Sequence, residues 1–414
     1  MKYKILGEFP LSGTVQISGA RNSALKILAG AIVSDGFLEL FNVPRVGDVF
    51  LFIELLKSLG VSAEFKSNGC LEINSSGLNS FELPAFSKNI KSSILFVGPL
   101  LARFGKAILP QNSKYSFDMN FKVLKSLGVS IAEKGSVFEF ECSSLRAAEI
   151  NFLSSTHTGT DNAILSSVLA EGSSVITNAA AEPEVDDLIS ALNKMGAKIK
   201  RADQNPRTIL VEGVRNLGKL EHTIIPDRNE PVFYASCALF TNGSIVIKNL
   251  NTNHLTSFIS KLSFMGANYE IISPSEMRIW ADPENLFKPS NIEVKPYPGF
   301  MADWQPFISV LLTKAAGESV VTDMVLNRFE FAKELNRMGA KIEFLDSGIK
   351  VFGPTKLKGV ITEAEEAISV AALVVAGLGA KGKTEIRNAE IINSELENTK
   401  EKLQNLGAVI KEKA

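Results

Sequence analysis

Six glycines set the frame for this chain. Gly60, Gly128, Gly196, Gly266, Gly339 and Gly407 each follow Leu or Met at the end of an apolar, helix-like stretch, and each precedes Val or Ala. They recur roughly every 70 residues, a period that marks stacked copies of one supersecondary unit. A second series keeps step a little over twenty residues upstream: Gly36, Gly105, Gly172, Gly243, Gly317 and Gly382. Two series in phase predict six copies of one unit.

The third copy shows the expected unit. Asp161–Leu169 places apolar residues at helical spacing, with Gly172 as a C-terminal stop. Ser173–Ala179 then alternates like a strand. Glu182-Pro183-Glu184 opens a second helix, since proline suits the first turn and carboxylates suit a helix N-terminus. Gly196 closes that helix, and two short alternating strands follow. The predicted unit is helix, strand, helix, strand, strand. The first helix of each copy is apolar nearly all round and is expected to be buried.

Such units bury their faces only by packing together. Three copies with helices inside and sheets outside make one domain, so six make two, in keeping with 414 residues. The expected domains are 21–227, and 1–20 with 228–414. The chain then crosses twice, near 19–22 and near 226–230, which describes a hinge beside a cleft. The opening strands, around Lys2–Phe9 and Gly13–Ser18, lack a preceding helix and are expected to complete the sixth copy.

Composition excludes several classes. A net charge of −1 gives no global attraction to nucleic acid or an anionic membrane. The longest apolar run, near Ile368–Leu378, is too short to span a bilayer and reads as a buried helix. Cys70, Cys142 and Cys237 are isolated, without metal-ligand spacing, which fits a reduced cytoplasmic setting. No cofactor or metal is expected.

Several segments are specific. They are Gly13–Asn22, GPLLARFG at 98–105, LAEG at 169–172, NAAAEPEV at 178–185, IPDR at 225–228, PYPGFMADWQ at 296–305 and NRFEFAKELNRMGAKI at 327–342. With the six-unit layout, they make the chain resemble the enolpyruvyl transferases. The likeness is to the UDP-N-acetylglucosamine 1-carboxyvinyltransferases more than to the shikimate-pathway synthases, and it runs end to end. It implies an α/β fold of two inside-out α/β barrels. It also implies two small-molecule substrates, phosphoenolpyruvate and a UDP-sugar, the enolpyruvyl group passing to the sugar's 3-hydroxyl in the peptidoglycan precursor pathway.

The resemblance assigns roles residue by residue. Asp303 matches the carboxylate beside the reacting hydroxyl; otherwise it reads as a turn or cap aspartate. Arg21 stands where the family carries a lysine, keeping charge in a planar form. Asn22 matches a sugar-contacting residue at the crossing. Asp118 matches an aspartate near the uracil-binding segment, with a plain helix N-cap as the alternative. Thr156 and His157 fall where the family contacts the diphosphate, and a Ser/Thr-rich helix start suits an anion. Met324 and Arg328 lie in the Asn-Arg-Phe region, where Arg328 reaches an anionic ligand or forms a structural ion pair. Lys91 replaces a family arginine.

The departures concentrate at the phosphoenolpyruvate end. The segment Leu109–Asn120 corresponds to a mobile loop that in the family bears a cysteine or aspartate acid and an arginine. Here it is shorter and has no cysteine, with Lys114 or Tyr115 at the arginine's place. Glu366-Ala367-Ile368 replaces Asp-Leu-Arg, Ser394 replaces an arginine, and Ala181 replaces the arginine of Arg-Glu-Pro-Glu. Two readings follow: an enolpyruvyl transferase with a rearranged site, or a protein that binds a UDP-sugar or regulates a paralogue without transfer.

Overall fold

The computed structural model describes every residue except 35, 113, 115, 283, 285, 286 and 414. The chain divides into two compact units, Gly19–Ile225 and Met1–Ser18 with Pro226–Ala414.

Each unit carries three sheets around its own apolar core. In Gly19–Ile225 the core helices are Arg21–Gly30, Val97–Phe104 and His157–Ser167. In the other unit they are Asn229–Phe240, Gln305–Leu312 and Ala367–Gly379. Every residue of Asn229–Phe240 is buried, as is Ala367–Leu378. The outer helices, such as Glu330–Arg337, bury one stripe and expose the other.

The phased glycines have a common cause. Gly60, Gly128, Gly196, Gly266, Gly339 and Gly407 all have positive φ, between 78° and 105°. Each ends an outer helix, and the N–H of the next residue reaches back five residues, as in Ala267 to Leu262 O at 3.0 Å and Ala340 to Leu335 O at 3.0 Å. This is the Schellman stop, which turns the chain sharply while satisfying the last carbonyls. The following Val or Ala is buried in all six copies, which explains its small or β-branched character. The upstream series is mixed. Gly105, Gly172, Gly317 and Gly382 have positive φ. At Gly243 the need is space, since a Cβ there would lie 2.3 Å from the Leu11 carbonyl oxygen.

The repeating unit has one element more than expected. A short strand precedes the core helix and pairs in parallel with the strand after it. Glu149–Asn151 does this for Ser173–Thr177, Ile292–Val294 for Gly317–Asp323 and Ile361–Glu363 for Lys383–Arg387. In the second copy, among the described residues, this pairing is reduced to the bridge Glu82–Ile108. Three residues are too few to show an alternation in sequence.

The opening strands are also placed differently. Lys2–Leu6 joins the sixth copy, between Lys383–Arg387 and Val409–Lys413. Ser12–Gln16 does not. It pairs in parallel with Ser244–Lys248 of the fourth copy. Correspondingly, Leu220–Thr223, at the end of the third copy, pairs in parallel with Phe37–Phe41 of the first. At each crossing the leading strand stays behind in the unit the chain leaves.

The second core helix starts later than its apolar pattern suggests. Lys91–Phe96 is a 3-10 turn, and the α-helix begins at Val97. Pro99 has no N–H to donate, so it is tolerated only in a first turn. Gly98 is required by packing, since a Cβ there would lie 2.0 Å from the Ser166 hydroxyl on the third core helix.

Gly266 isolates the conformational term, because φ is 78° and a Cβ would meet nothing within 4 Å. Gly266→Ala is expected to cost about 1–2 kcal/mol in urea denaturation with an unchanged m-value, and Gly266→Asn less than half of that.

Candidate active site

In Gly19–Ile225 the first core helix begins directly after the crossing, so Arg21 and Asn22 occupy its first turn, half-buried. A cation there opposes the helix dipole. Asp48, in the first turn of the outer helix Gly47–Ser58, compensates it: Arg21 Nη1 donates to Asp48 Oδ2 at 2.9 Å.

One turn below Asn22 on the same face lies Lys26, which is 1% exposed. Its ammonium donates to Asp161 at 2.9 Å (Oδ1) and lies 2.8 Å from Oδ2. It also lies 2.7 Å from Nε2 of His157. His157 and Asp161 are one turn apart on the third core helix, whose N-cap Thr156 accepts the Gly159 N–H at 3.3 Å. That cap starts the helix at His157, ahead of the expected Asp161. Burial pushes the Asp161 carboxyl up to about 6, with Lys26 pulling it down and Glu182 and Glu184 adding to the rise.

The remaining candidates of this unit lie on other elements. Lys91 is exposed at the start of its 3-10 turn. Leu109 and Pro110 belong to the strand Lys106–Pro110, and Asp118–Asn120 to the helix Asp118–Ser126, so the loop itself is confined to 111–117. Lys114 is exposed, and its backbone N–H donates to Asn112 Oδ1 at 2.8 Å. Tyr115 lies outside the described residues. Asp118 is not the N-cap. It is the first helical residue, and Ser116 meets it, donating its hydroxyl to the carboxylate at 2.8 Å.

In the other unit Asp303 lies half-buried in the 3-10 turn Ala302–Trp304. The Asn229 side-chain amide donates to Asp303 Oδ2 at 3.3 Å, and its carbonyl accepts the Trp304 indole N–H at 2.9 Å. Trp304 is fully buried, so the amide cannot flip without orphaning that N–H. Asp227 Oδ1 caps the helix behind it, accepting the N–H groups of Asn229 (2.6 Å) and Glu230 (2.8 Å). The Arg228 guanidinium lies 5.1 Å from the Tyr297 ring centre.

Met324 is exposed in a loop held at its base by Asp323, whose carboxylate accepts the N–H groups of Val325 and Leu326. Arg328 lies 3.7 Å from Glu366, with both side chains about half exposed. A cavity of about 510 Å³ opens beside it, lined by Glu330, Glu334, Glu363, Glu365 and Glu366 as well as by Arg328 and Lys333. The Ser394 hydroxyl donates to the Ile391 carbonyl at 2.7 Å.

The family model for EPSP synthase (3-phosphoshikimate 1-carboxyvinyltransferase) matches residues 6–403. The chain belongs to this family of enolpyruvyl transferases. A protein named UDP-N-acetylglucosamine 1-carboxyvinyltransferase 2 from Carboxydothermus hydrogenoformans is 38% identical over 99% of this chain and 98% of its own length. One named UDP-N-acetylglucosamine 1-carboxyvinyltransferase from Campylobacter hominis is 36% identical over 98% of each. The crystal structure of the enolpyruvyl transferase NikO from Streptomyces tendae shares the fold, with a TM-score of 0.92 at 22% identity over 99% of this chain and 98% of that one. No described helix is long and apolar enough to cross a membrane.

Within that family setting, the acidic cavity beside Arg328 matters. Glu366, in the stretch where the resemblance implied Asp-Leu-Arg, lies 3.7 Å from the Arg328 cation. Asp48, Lys26, Asp161 and Asn229 are the residues that sequence reasoning missed. A lysine or aspartate within an apolar helix was the available signal for Lys26 and Asp161.

Asp161 has a testable pH signature. Its value of about 6 when folded exceeds the ordinary 3.8. Between these values the folded chain holds a proton that the unfolded chain has released. Stability from this group is therefore present at low pH and lost as pH rises toward 6. Asp161→Asn, which leaves Lys26 buried without a counter-charge, is expected to lose about 3 kcal/mol at neutral pH. The deficit relative to wild type is expected to be larger at pH 4.5 than at pH 7 in urea denaturation.

Proposed function

We propose that this chain transfers the enolpyruvyl group of phosphoenolpyruvate to the 3-hydroxyl of UDP-N-acetylglucosamine, releasing phosphate. The observation that carries the reading is full-length relationship, at 36–38% identity, to proteins named for that transfer. The fixed setting of Asp303 supports it.

Asp303 is the proposed base. Its carboxylate takes the hydroxyl proton as the sugar oxygen bonds to C2 of phosphoenolpyruvate, while the methylene carbon gains a proton. Phosphate then leaves C2 as a proton returns from that carbon, giving the enol ether. Asn229 aims the carboxylate, so it does not pay for orientation during the reaction. Arg21, Lys91 and Arg328 are the proposed cations for phosphate and carboxylate groups. Asn22, Asp118, Thr156, His157 and Met324 are proposed to contact the UDP-sugar. Lys114 and Tyr115 are the candidates of the loop segment for the proton donor.

A second reading, sugar-nucleotide binding without transfer, is favoured by one observation: the Arg328–Glu366 pair beside the glutamate-lined cavity. Each charge-assisted contact to phosphate contributes about 1.5–3 kcal/mol, so neutral Ser394 and Ala181 and a paired Arg328 weaken the anion's hold. Phosphate release from phosphoenolpyruvate with UDP-N-acetylglucosamine decides between them. Transfer is expected, with Asp303→Asn lowering kcat by about 10²–10⁴-fold. Absence of turnover at high enzyme concentration, with sugar-nucleotide binding intact, establishes the second reading.

A further expectation concerns covalent labelling. Cys70 and Cys237 are buried, with thiols pushed up by burial, and Cys142 follows the strand Val137–Glu141 rather than lying in the loop at 111–117. Thiolates, not thiols, attack electrophiles. The epoxide fosfomycin is therefore expected to leave the chain unlabelled by intact-mass spectrometry and its turnover unchanged.

A further inference from the structure

Lys314 has no part in the transfer proposed above. It stands at the far end of the core helix that Asp303 precedes, in the turn after Gln305–Leu312. The other copies show what this register position ordinarily holds. Three residues before each upstream glycine they carry Val33, Ala102, Leu169, Phe240 and Gly379. The fifth copy alone places a charge there.

The turn is a costly place for one. Lys314 is half-buried where the ends of the core helices of its unit approach, and a Cβ at Gly379 would lie 2.5 Å from the Phe240 ring. The Lys314 ammonium donates to the Asn242 side-chain carbonyl at 2.9 Å and lies 5.0 Å from the centre of the Phe240 ring. Asn242 is left-handed, with φ of 55°, and the Gly243 N–H reaches back to Ala238 O at 2.8 Å. The amide is thus carried by a helix stop.

No counter-charge meets the amine. The segments hydrogen-bonded to this turn and its neighbours carry the carboxylates Glu8, Asp282, Glu284 and Glu318 and the cations Lys288, Lys356 and Lys381. Among the described residues none of the four carboxylates forms an ion pair with Lys314, and Glu318 pairs with Lys350 instead. Lys26 and Lys402, by contrast, meet carboxylates at 2.8 and 2.9 Å. The ring face and the carbonyls of a helix end favour the charged form. Burial without a counter-charge acts the other way, and it pushes the Lys314 amine down to about 8 from the ordinary 10.5.

The donor count says what this seat accepts. An ammonium carries three N–H groups, of which Asn242 takes one. A secondary amide carries a single N–H, which Asn242 satisfies with no donor left over. The seat therefore suits a neutral amide better than a cation.

We propose that Lys314 is a site of N-acylation by small acyl phosphates. The neutral amine attacks the acyl carbon, the C–O bond to phosphate breaks, and the nitrogen loses a proton to solvent. An amide and inorganic phosphate result.

Acetyl phosphate is the probe, applied to the full chain at pH 7.5, with acetylation rates read lysine by lysine from peptide mass spectra. Lys314 is expected to react about tenfold faster than the exposed Lys200 and Lys219, because a lysine amine of ordinary basicity is almost wholly protonated at this pH. Its rate is expected to level off above pH 8.

Two variants separate charge from structure. Asn242→Asp keeps the left-handed turn and sets a carboxylate against the amine, so the Lys314 rate is expected to fall to that of Lys200. Asn242→Gly keeps the turn and brings no charge, so the rate is expected to stay high. A Lys314 that reacts no faster than Lys200 and Lys219 overturns the proposal. So does an Asn242→Asp chain that reacts as fast as wild type, or an Asn242→Gly chain that loses the fast reaction.

Discussion

Closure of each unit depends on one parallel ladder. Leu220–Thr223 against Phe37–Phe41 ties the last strand of Gly19–Ile225 to its first sheet. Ser12–Gln16 against Ser244–Lys248 does the same for the other unit. Each ladder adds the outermost strand of its sheet, so a segment from the far end of the unit is hydrogen-bonded to the sheet of the unit's first copy. With them, three sheets surround three buried helices, and each core helix starts at a position fixed by its neighbours. Arg21, His157, Asn229 and the turn of Asp303 all inherit their places from that arrangement.

Local chemistry then refines each place. Asp48 answers Arg21, Asp161 answers Lys26, and Asn229 is shared between Asp303 and Trp304. These are buried or half-buried polar contacts, where leaving one partner unmatched costs more than the contact gains. Helix starts at the candidate-site positions are thus held by side-chain chemistry, and outer-helix ends by glycine. The two ends have diverged differently. All six glycine stops are present, while Ser394 and Ala181 stand where the family resemblance implies cations, and Arg328 lies beside Glu366.

How much of this the sequence reveals follows from range. A Schellman stop is local, and only glycine enters its conformation cheaply, so all six stops stand out in one chain. Apolar core helices are equally plain. The three-residue parallel strands are not, because their pairing is decided by strands more than twenty residues away. The placement of Ser12–Gln16 in the fourth copy is beyond any local pattern, since its partner lies over 200 residues on. Asp303 is legible through the PYPGFMADWQ segment that surrounds it. Asn229 is not, because its value lies in two side chains of another element. Lys26 reads as a solvated lysine until Asp161 and His157 are seen around it.

The crossings have a consequence for how such a chain is built. The Ala20 N–H donates to the Ile225 carbonyl at 2.7 Å, so the unit Gly19–Ile225 begins and ends at one point. The Asp227 N–H donates to the Ser18 carbonyl at 2.9 Å, so the flanking segments also meet. One three-sheet body is therefore a cassette set into a single peptide junction of the other. Excising it and rejoining Ser18 to Pro226 breaks no strand ladder in either body.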